Sequence, residues 1–274
     1  MPPFARPTSP SSRPLITLGA FAAAAAMACG GAAPADAAAA ATSASSRPNV
    51  VVVMTDDQDF RSMSALPNVR RLIGAKGTQF TTSVVNTPIC GPSRSTFLSG
   101  QYQHNHHVAW NNAPLGGIEK LDQANTLPVW MHRAGYRTIH IGKYVNDYGE
   151  TNPTQVPPGW DDWHGTVDPT TYWYFGTTYN DNGKLKTYGH AAADYSIDVD
   201  TRKADAAIRT ASKRRQPFFL NLAPVAPHTL DHTARAEGTP ALPAPRDKNA
   251  YANAPLPRLP NFNELDISDK PLTL

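Results

Sequence analysis

Three apolar runs in this chain each give way at once to residues able to do chemistry, and that pattern limits the fold more than any other feature. Asn49-Val50-Val51-Val52-Val53-Met54 stops at Thr55-Asp56-Asp57-Gln58. Arg137-Thr138-Ile139-His140-Ile141 runs into Gly142-Lys143, and Pro217 to Leu222 runs into Ala223-Pro224-Val225-Ala226-Pro227-His228. Such runs predict strands, the β-branched first one buried on both faces. Thr78 to Val85 predicts a further strand. Pro67 to Lys76 predicts a short helix closed by Gly77, Ser93 to Leu98 a helix opening after Pro92, and Leu127 to Ala134 one closed by Gly135. Asp194 to Arg214, with Ile197, Val199, Ala204, Ala207 and Ile208, predicts the best helix, its charges a solvated face. Strands alternating with helices point to an α/β domain with a mainly parallel sheet. Sites in such sheets gather beyond the carboxyl ends of strands, where Asp56-Asp57, Lys143 and His228 all stand.

The flanks read differently. Residues 1–46 have Arg6 and Arg13 ahead of an apolar core, Leu15 to Ala28, and then small residues including Ala35-Asp36-Ala37. This is the pattern of an export signal followed by an Ala/Ser/Pro-rich spacer that cannot pack a core, so a secreted or extracytoplasmic protein is expected. Ala28-Cys29-Gly30 offers a second version, a lipoprotein anchored through Cys29. The folded domain is expected over 47–274, and no later apolar stretch is long enough to span a bilayer. The 25 basic and 22 acidic residues are interspersed without a basic stripe, which argues against nucleic acid as a partner. Two cysteines are too few for a disulfide framework, and with Cys29 in the leader, Cys90 is the lone thiol of the mature chain.

Asp56-Asp57 at a strand end can turn two carboxylates toward one point, as a hard cation such as Ca²⁺ or Mg²⁺ requires. The same pair also suits a turn in which Asp side chains cap the backbone. Pro88-Ile89-Cys90-Gly91-Pro92-Ser93-Arg94-Ser95 is more specific. Its Pro-Ser pair starts a helix whose positive end favours anions, and Arg94 can place a guanidinium on the same face as Cys90. A buried apolar cysteine is the bland alternative, and the surrounding glycine, prolines and arginine argue against it.

Cys90-x-Pro92-Ser93-Arg94 resembles the sulfatase signature, in which the cysteine is oxidised to formylglycine. Ser99-Gly100-Gln101-Tyr102, Asp56-Asp57-Gln58, Gly142-Lys143-Tyr144 and Ala226-Pro227-His228 are similar to further motifs of that family, in the family's order. Gln103-His104-Asn105-His106-His107, Lys143 to Gly149 and Pro260-Asn261-Phe262-Asn263-Glu264 resemble the N-acetylglucosamine-6-sulfatase branch in particular. The resemblance implies an alkaline-phosphatase-like α/β/α sandwich and a sulfuric ester hydrolase acting on sulfated sugars or aryl sulfates. It implies formylglycine at Cys90, installed by a formylglycine-generating enzyme, and a divalent cation, Ca²⁺ ahead of Mg²⁺, held by Asp56, Asp57 and residue 90. One hydroxyl of the hydrated aldehyde would attack sulfur and the other would later expel sulfate. Arg94 would hold the formylglycine, Lys143 would bind sulfate and His228 would protonate the leaving oxygen. His106 and Asn146 would complete the substrate contacts. The same superfamily chemistry serves phosphonate and phosphate monoesters, which is the alternative activity.

Two departures qualify this. Where many sulfatases carry a histidine two residues after the lysine, this chain has Val145 and then Asn146, a feature of the same branch. The family's second metal pair, Asp-Asn followed by Gly, and its second lysine are not found after His228. Asp181-Asn182-Gly183 comes too early and reads as a hairpin turn between Tyr179 and Lys184. The expectation is therefore an amino-terminal portion of the catalytic domain, the C-terminal part missing, with an inactive remnant as the other outcome. His104, His106 and His107 are expected to be substrate-facing or structural rather than metal ligands. Trp160, Trp163, Tyr172, Trp173, Tyr174 and Phe175 are either a sugar-stacking wall or packing under a loop and hairpin.

Overall fold

Alternation along two adjacent strands sets the layers of the domain. In this computed structural model, which describes residues 47–230, 239–255, 258–259, 262–266 and 268, strands β2 (Arg137–Gly142) and β6 (Phe218–Ala223) pair in parallel at the centre of the sheet. Successive side chains of a strand point to opposite faces. Ile139, Ile141, Phe218 and Leu220 accordingly bury one face against Ala204, Ala207 and Ala211, which lie on helix α5 (Ser196–Ala211). On the other face Phe219 packs with Leu98, Leu127, Met131, Trp160 and Trp163, under helices α2 (Cys90–Ser99) and α4 (Leu127–Arg133). The result is a helix–sheet–helix sandwich.

Among the described residues the sheet has six strands in the order β1-β6-β2-β3-β4-β5, where β1 is Val50–Val53, β3 Asp162–Thr166, β4 Thr178–Asp181 and β5 Lys184–Thr187. The first four in that order are parallel, and β3, β4 and β5 continue antiparallel. Asn182 and Gly183 both take positive φ, 51° and 89°, and join β4 to β5 as a two-residue hairpin, as their sequence predicts.

Two expectations fail. β1 is not buried on both faces: it is the sheet's edge among the described residues, with Val51 47% and Val53 56% exposed. A β-branched run records strand propensity and says nothing about which neighbours arrive. Thr78–Val85 forms no strand, and Phe80, Val84 and Val85 lie exposed, because no described strand offers them a ladder partner. Pro67 to Gly74 is helical as α1 (Pro67–Val69), continued by a π-turn over Arg70–Gly74. A second short helix, α3 (Gln103–His106), follows α2.

Trp163 and Tyr174 are fully buried and Trp160 nearly so, which favours packing over a sugar wall for these three. His140 belongs to the same core. Its Nε2–H donates to the Gly142 carbonyl at 3.1 Å, its Nδ1 accepts from Asn221 Nδ2 at 3.1 Å, and its ring stacks on Trp163. Burial pushes its pKa down to about 3, so it is a neutral packing residue. The leader with Cys29, and Pro260-Asn261, lie outside the described residues.

Candidate active site

The site assembles where parallel strands release the chain. Past β1, Met54 N still bonds Leu222 O at 2.9 Å and Asp56 N bonds Ala226 O at 3.3 Å, so the Asp56-Asp57 loop runs beside the loop after β6. Asp56 turns inward, 5% exposed, while Asp57 takes φ 56° and stays near solvent. β2 ends on Gly142 with φ 96°, where a Cβ would sit 2.3 Å from the Ala223 carbonyl oxygen. Only glycine lets the strand leave the sheet there, and this delivers Lys143 to the buried side.

Helix α2 begins at Cys90, three residues earlier than the Pro92-Ser93 pair predicts. Its first intrahelical bond is Ser93 N to Ile89 O at 2.9 Å. Proline is tolerated at position 92 because the first-turn N–H groups have no intrahelical partner in any case. Another of those donors, Gly91 N, bonds Asn111 Oδ1 at 2.7 Å. Cys90 thus stands at the positive end of a ten-residue helix, with Arg94 one turn further along.

These elements meet on the Asp56 carboxylate. Lys143 Nζ bonds its Oδ2, Arg94 Nη2 lies 3.4 Å from its Oδ1, and Cys90 Sγ lies 3.7 Å from the same oxygen. Arg94 is aimed by a 2.7 Å bond from its Nη1 to the Lys143 carbonyl. Burial alone would raise the Asp56 pKa, but Arg94, Lys143 and His228 outweigh it and hold the carboxyl below its usual range. The Cys90 thiol is pushed up, by burial first and then by Asp56 and Asp57 against the pull of Lys143 and Arg94. His228 donates from Nδ1 to Thr229 O at 2.7 Å and faces Asp57 Oδ2 with Nε2 at 3.5 Å. Asp56, Cys90 and His228 each present a ligand atom within 4.8 Å of the others, a group that could hold a metal ion. A cleft of about 270 Å³ opens over Asp56, Asp57, Cys90, Ser93 and Arg94.

Comparison with known proteins decides the family. The family model described as Sulfatase matches residues 48–255.

The chain belongs to the sulfatase family.

It is 37% identical over 228 residues or more to curated relatives that include the arylsulfatase of Volvox carteri, where 241 residues align, 81% of this chain and 37% of that protein. It is 33% identical over 225 residues to the N-acetylglucosamine-6-sulfatase of Homo sapiens, 78% of this chain and 38% of that one. The chain therefore spans well under half the length of these relatives. Its fold is shared with a solved Bacteroides thetaiotaomicron protein described under the metabolism of multiple glycosaminoglycans, TM-score 0.58 at 17% identity, covering 76% of this chain and 49% of that one.

Within this sulfatase-family fold, Asp56, Asp57, Cys90, Arg94, Lys143 and His228 come together from four separate segments. Asn146 stands behind them, buried, its Nδ2 donating to the Tyr172 hydroxyl at 2.6 Å and its Oδ1 without a partner. His106 is not brought into this cleft. Its Nδ1 accepts from Val108 N and its Nε2 pairs with Thr96 Oγ1, both at 3.1 Å, and it lines a separate hollow with Ser99, Asn105 and Asp122. Two residues beside the site carry no motif. Asn111 ties down Gly91, and the Tyr172 ring lies under Lys143 Nζ at 4.5 Å and against His228 at 4.8 Å. The aromatic run from Tyr172 to Phe175 was the one signal in the sequence for Tyr172, and it does not distinguish packing from site.

Proposed function

We propose that residues 47–274 carry the active-site portion of a sulfuric ester hydrolase, with formylglycine made from Cys90 by a formylglycine-generating enzyme and a divalent cation held by Asp56 and Asp57. The observation that carries this is the convergence of Cys90, Arg94, Lys143 and His228 around the Asp56 carboxylate, at the wall of the cleft. The state of Cys90 adds to it. A thiol whose pKa is raised by burial and two carboxylates is a poor nucleophile.

The oxygen donors present fit part of a hard cation's shell. Asp56 and Asp57 offer carboxylate oxygens near residue 90, where formylglycine would add a further oxygen, and Ca²⁺ is favoured over Mg²⁺ on the family resemblance. When bound, the cation supplies a charge that polarises a sulfate oxygen and lowers the nucleophile's pKa. The formylglycine, once formed, supplies the hydrated aldehyde as nucleophile. The remaining work falls to the chain's own side chains. Arg94, fixed by the Lys143 carbonyl, orients residue 90 and balances Asp56. Lys143, buried beside Asp56, offers sulfate a point charge. His228, with Nδ1 held by Thr229, keeps Nε2 facing Asp57 and the cleft, where it can give a proton to the departing oxygen.

The substrate class is a sulfated sugar of the N-acetylglucosamine-6-sulfate type, supported by the sequence motifs and by the human relative, with aryl sulfates second through the algal relative. The leader supports export, with the Cys29 anchor as its other form. Mass spectrometry across Cys90, joined to assays with sulfate and phosphate esters of one alcohol, tests the reading. Conversion of Cys90 with preferred sulfate release is expected; an unmodified cysteine, or a preference for phosphate, overturns it.

A further inference from the structure

We propose that Tyr172 is a positioning residue that fixes Lys143 and His228 relative to one another beside Asp56, an inference that rests on the roles given to those two residues above. Three contacts place it. Lys143 Nζ lies over its ring at 4.5 Å from the centroid. The His228 imidazole packs on it with centroids 4.8 Å apart and planes at 45°. Its hydroxyl accepts from Asn146 Nδ2 at 2.6 Å, and Asn146 is itself 4% exposed, with its carbonyl bonded to Ile118 N. One ring thus touches the candidate sulfate-binding cation and the candidate proton donor, and is pinned from behind.

The support under the ring is rigid. Tyr172 ends a 3₁₀ turn, Thr170–Tyr172. Thr170 Oγ1 donates to Val167 O at 2.7 Å and accepts from Thr178 N at 2.9 Å, so the turn is tied to the end of β3 and the start of β4. Side chains held by such outer contacts keep a site within the tolerance that chemistry requires.

The chemistry of the ring explains why a tyrosine suits this place. Lys143 already bonds Asp56. A second carboxylate beneath it would cancel the charge that sulfate is to meet. A neutral aromatic face attracts the ammonium through its quadrupole and leaves that charge available. Burial, followed by the nearby Asp168, Cys90 and Asp56, holds the Tyr172 hydroxyl well above the usual phenol range, so the ring stays neutral. Its flat face also restricts the imidazole to one tilt, with Nε2 toward Asp57.

The test uses the full chain with Tyr172→Leu and Tyr172→Phe. Tyr172→Met, which fills more of the ring's space, replaces the leucine variant if that one does not fold. The His228 ring-proton resonances, assigned by difference against His228→Asn, report the contact without requiring turnover. Loss of the aromatic ring moves them toward free-imidazole positions, and the phenylalanine variant keeps them in place. In matured enzyme the non-aromatic variant loses about 10²-fold in kcat with a smaller change in KM, and phenylalanine recovers all but about threefold. Unmoved His228 resonances, or equal kcat in the aromatic and non-aromatic variants, overturn the proposal. Displaced resonances in a matured chain that cleaves no sulfate ester support the positioning role and overturn the functional reading instead.

Discussion

Two clusters of charge in this domain, one buried and one half-buried, are built from similar parts and finished differently. At the strand ends, Asp56 lies between Lys143 and Arg94. On the α5 side of the sheet, His164 lies between two carboxylates: its Nε2 is 3.2 Å from Asp162 Oδ1 and its Nδ1 is 2.6 Å from Asp181 Oδ1. Lys203 then reaches Asp181 at 2.6 Å, and Arg137 reaches Asp162 at 3.1 Å. The second cluster is closed, since both nitrogens of its histidine and both of its carboxylates are answered by protein groups. The first is open. It sets Lys143 and Arg94 around the buried Asp56, with Asp57 beside them, and faces a cleft, and the Asn146 side-chain Oδ1 behind it has no partner. Charged groups left facing a cavity are available to a ligand, whereas a saturated network is a clasp joining β3, β4 and α5.

The largest effects expected lie in the open cluster. On the proposed reading, Cys90→Ala removes the group from which the nucleophile is made and lowers sulfate-ester hydrolysis by about 10⁴-fold or more, while thermal unfolding stays close to that of the parent chain. Lys143→Met acts on both activity and stability. It removes a charge presented to the transition state, about 10²–10³ in kcat. It also leaves Asp56 with only Arg94, for a loss of up to about 3–5 kcal/mol by denaturant unfolding. Adding Asp56→Asn recovers part of the stability and none of the activity. An open cluster that loses stability but not turnover in Lys143→Met removes the distinction drawn above.

What could be read in advance divides along the same line. Asp56, Asp57, Lys143 and His228 were legible because a parallel sheet sends its strand ends to one edge, so motif and topology agree. Cys90 and Arg94 were legible from local spacing, although the helix starts earlier than its Pro92-Ser93 pair implies. Val50–Val53 was read correctly as a strand and wrongly as a doubly buried one, because periodicity carries no information about neighbours. Phe80, Val84 and Val85 show the same gap, with apolar residues in strand-like order and no described strand to pair with. The closed cluster and Tyr172 were invisible for a stricter reason. Asp162, His164, Asp181 and Lys203 look like ordinary surface charge until β3, β4 and α5 are packed, and Tyr172 gains its meaning only from Lys143 and His228, far off in the chain.

Each cluster also has a carboxyl with a raised pKa beside it, which gives a pH signature. Asp200 accepts from Tyr179 OH at 2.8 Å, and Lys203 lies over that tyrosine's ring; burial pushes the Asp200 pKa up to about 7. Asp168, behind Lys143, is pushed up to about 6, again chiefly by burial. Both folded values exceed the unfolded value of about 4, so the folded chain binds these protons more tightly. Their contribution is full below about pH 4 and is lost as pH rises through 6 and 7. Unfolding free energy is therefore expected to fall between pH 4.5 and 8, and Asp200→Asn to flatten its share, on the order of a few kcal/mol. Below that window the sign reverses, because Asp56, Asp162 and Asp181 are held low and lose their partners on protonation.

The smallest effect is the sharpest test of the clasp. Burial alone would lower the His164 pKa, but Asp162 and Asp181 outweigh it, and the folded value is raised. A raised histidine contributes stability that is complete below its unfolded pKa, about 6.5, and lost as pH climbs through the folded value. His164→Ala should cost about 1–2 kcal/mol at pH 5.5, because Arg137 and Lys203 still hold the two carboxylates. That cost should shrink above the folded pKa, where the parent's imidazole is neutral as well. Turnover at a fixed pH should not change, since His164 touches none of the groups around Cys90. Denaturant midpoints at pH 5.5 and 9, set beside kcat for the same variant, separate the outcomes. A penalty that does not vary with pH would make His164 a packing residue, and a loss of kcat would tie the clasp to the cleft and join the two clusters into one.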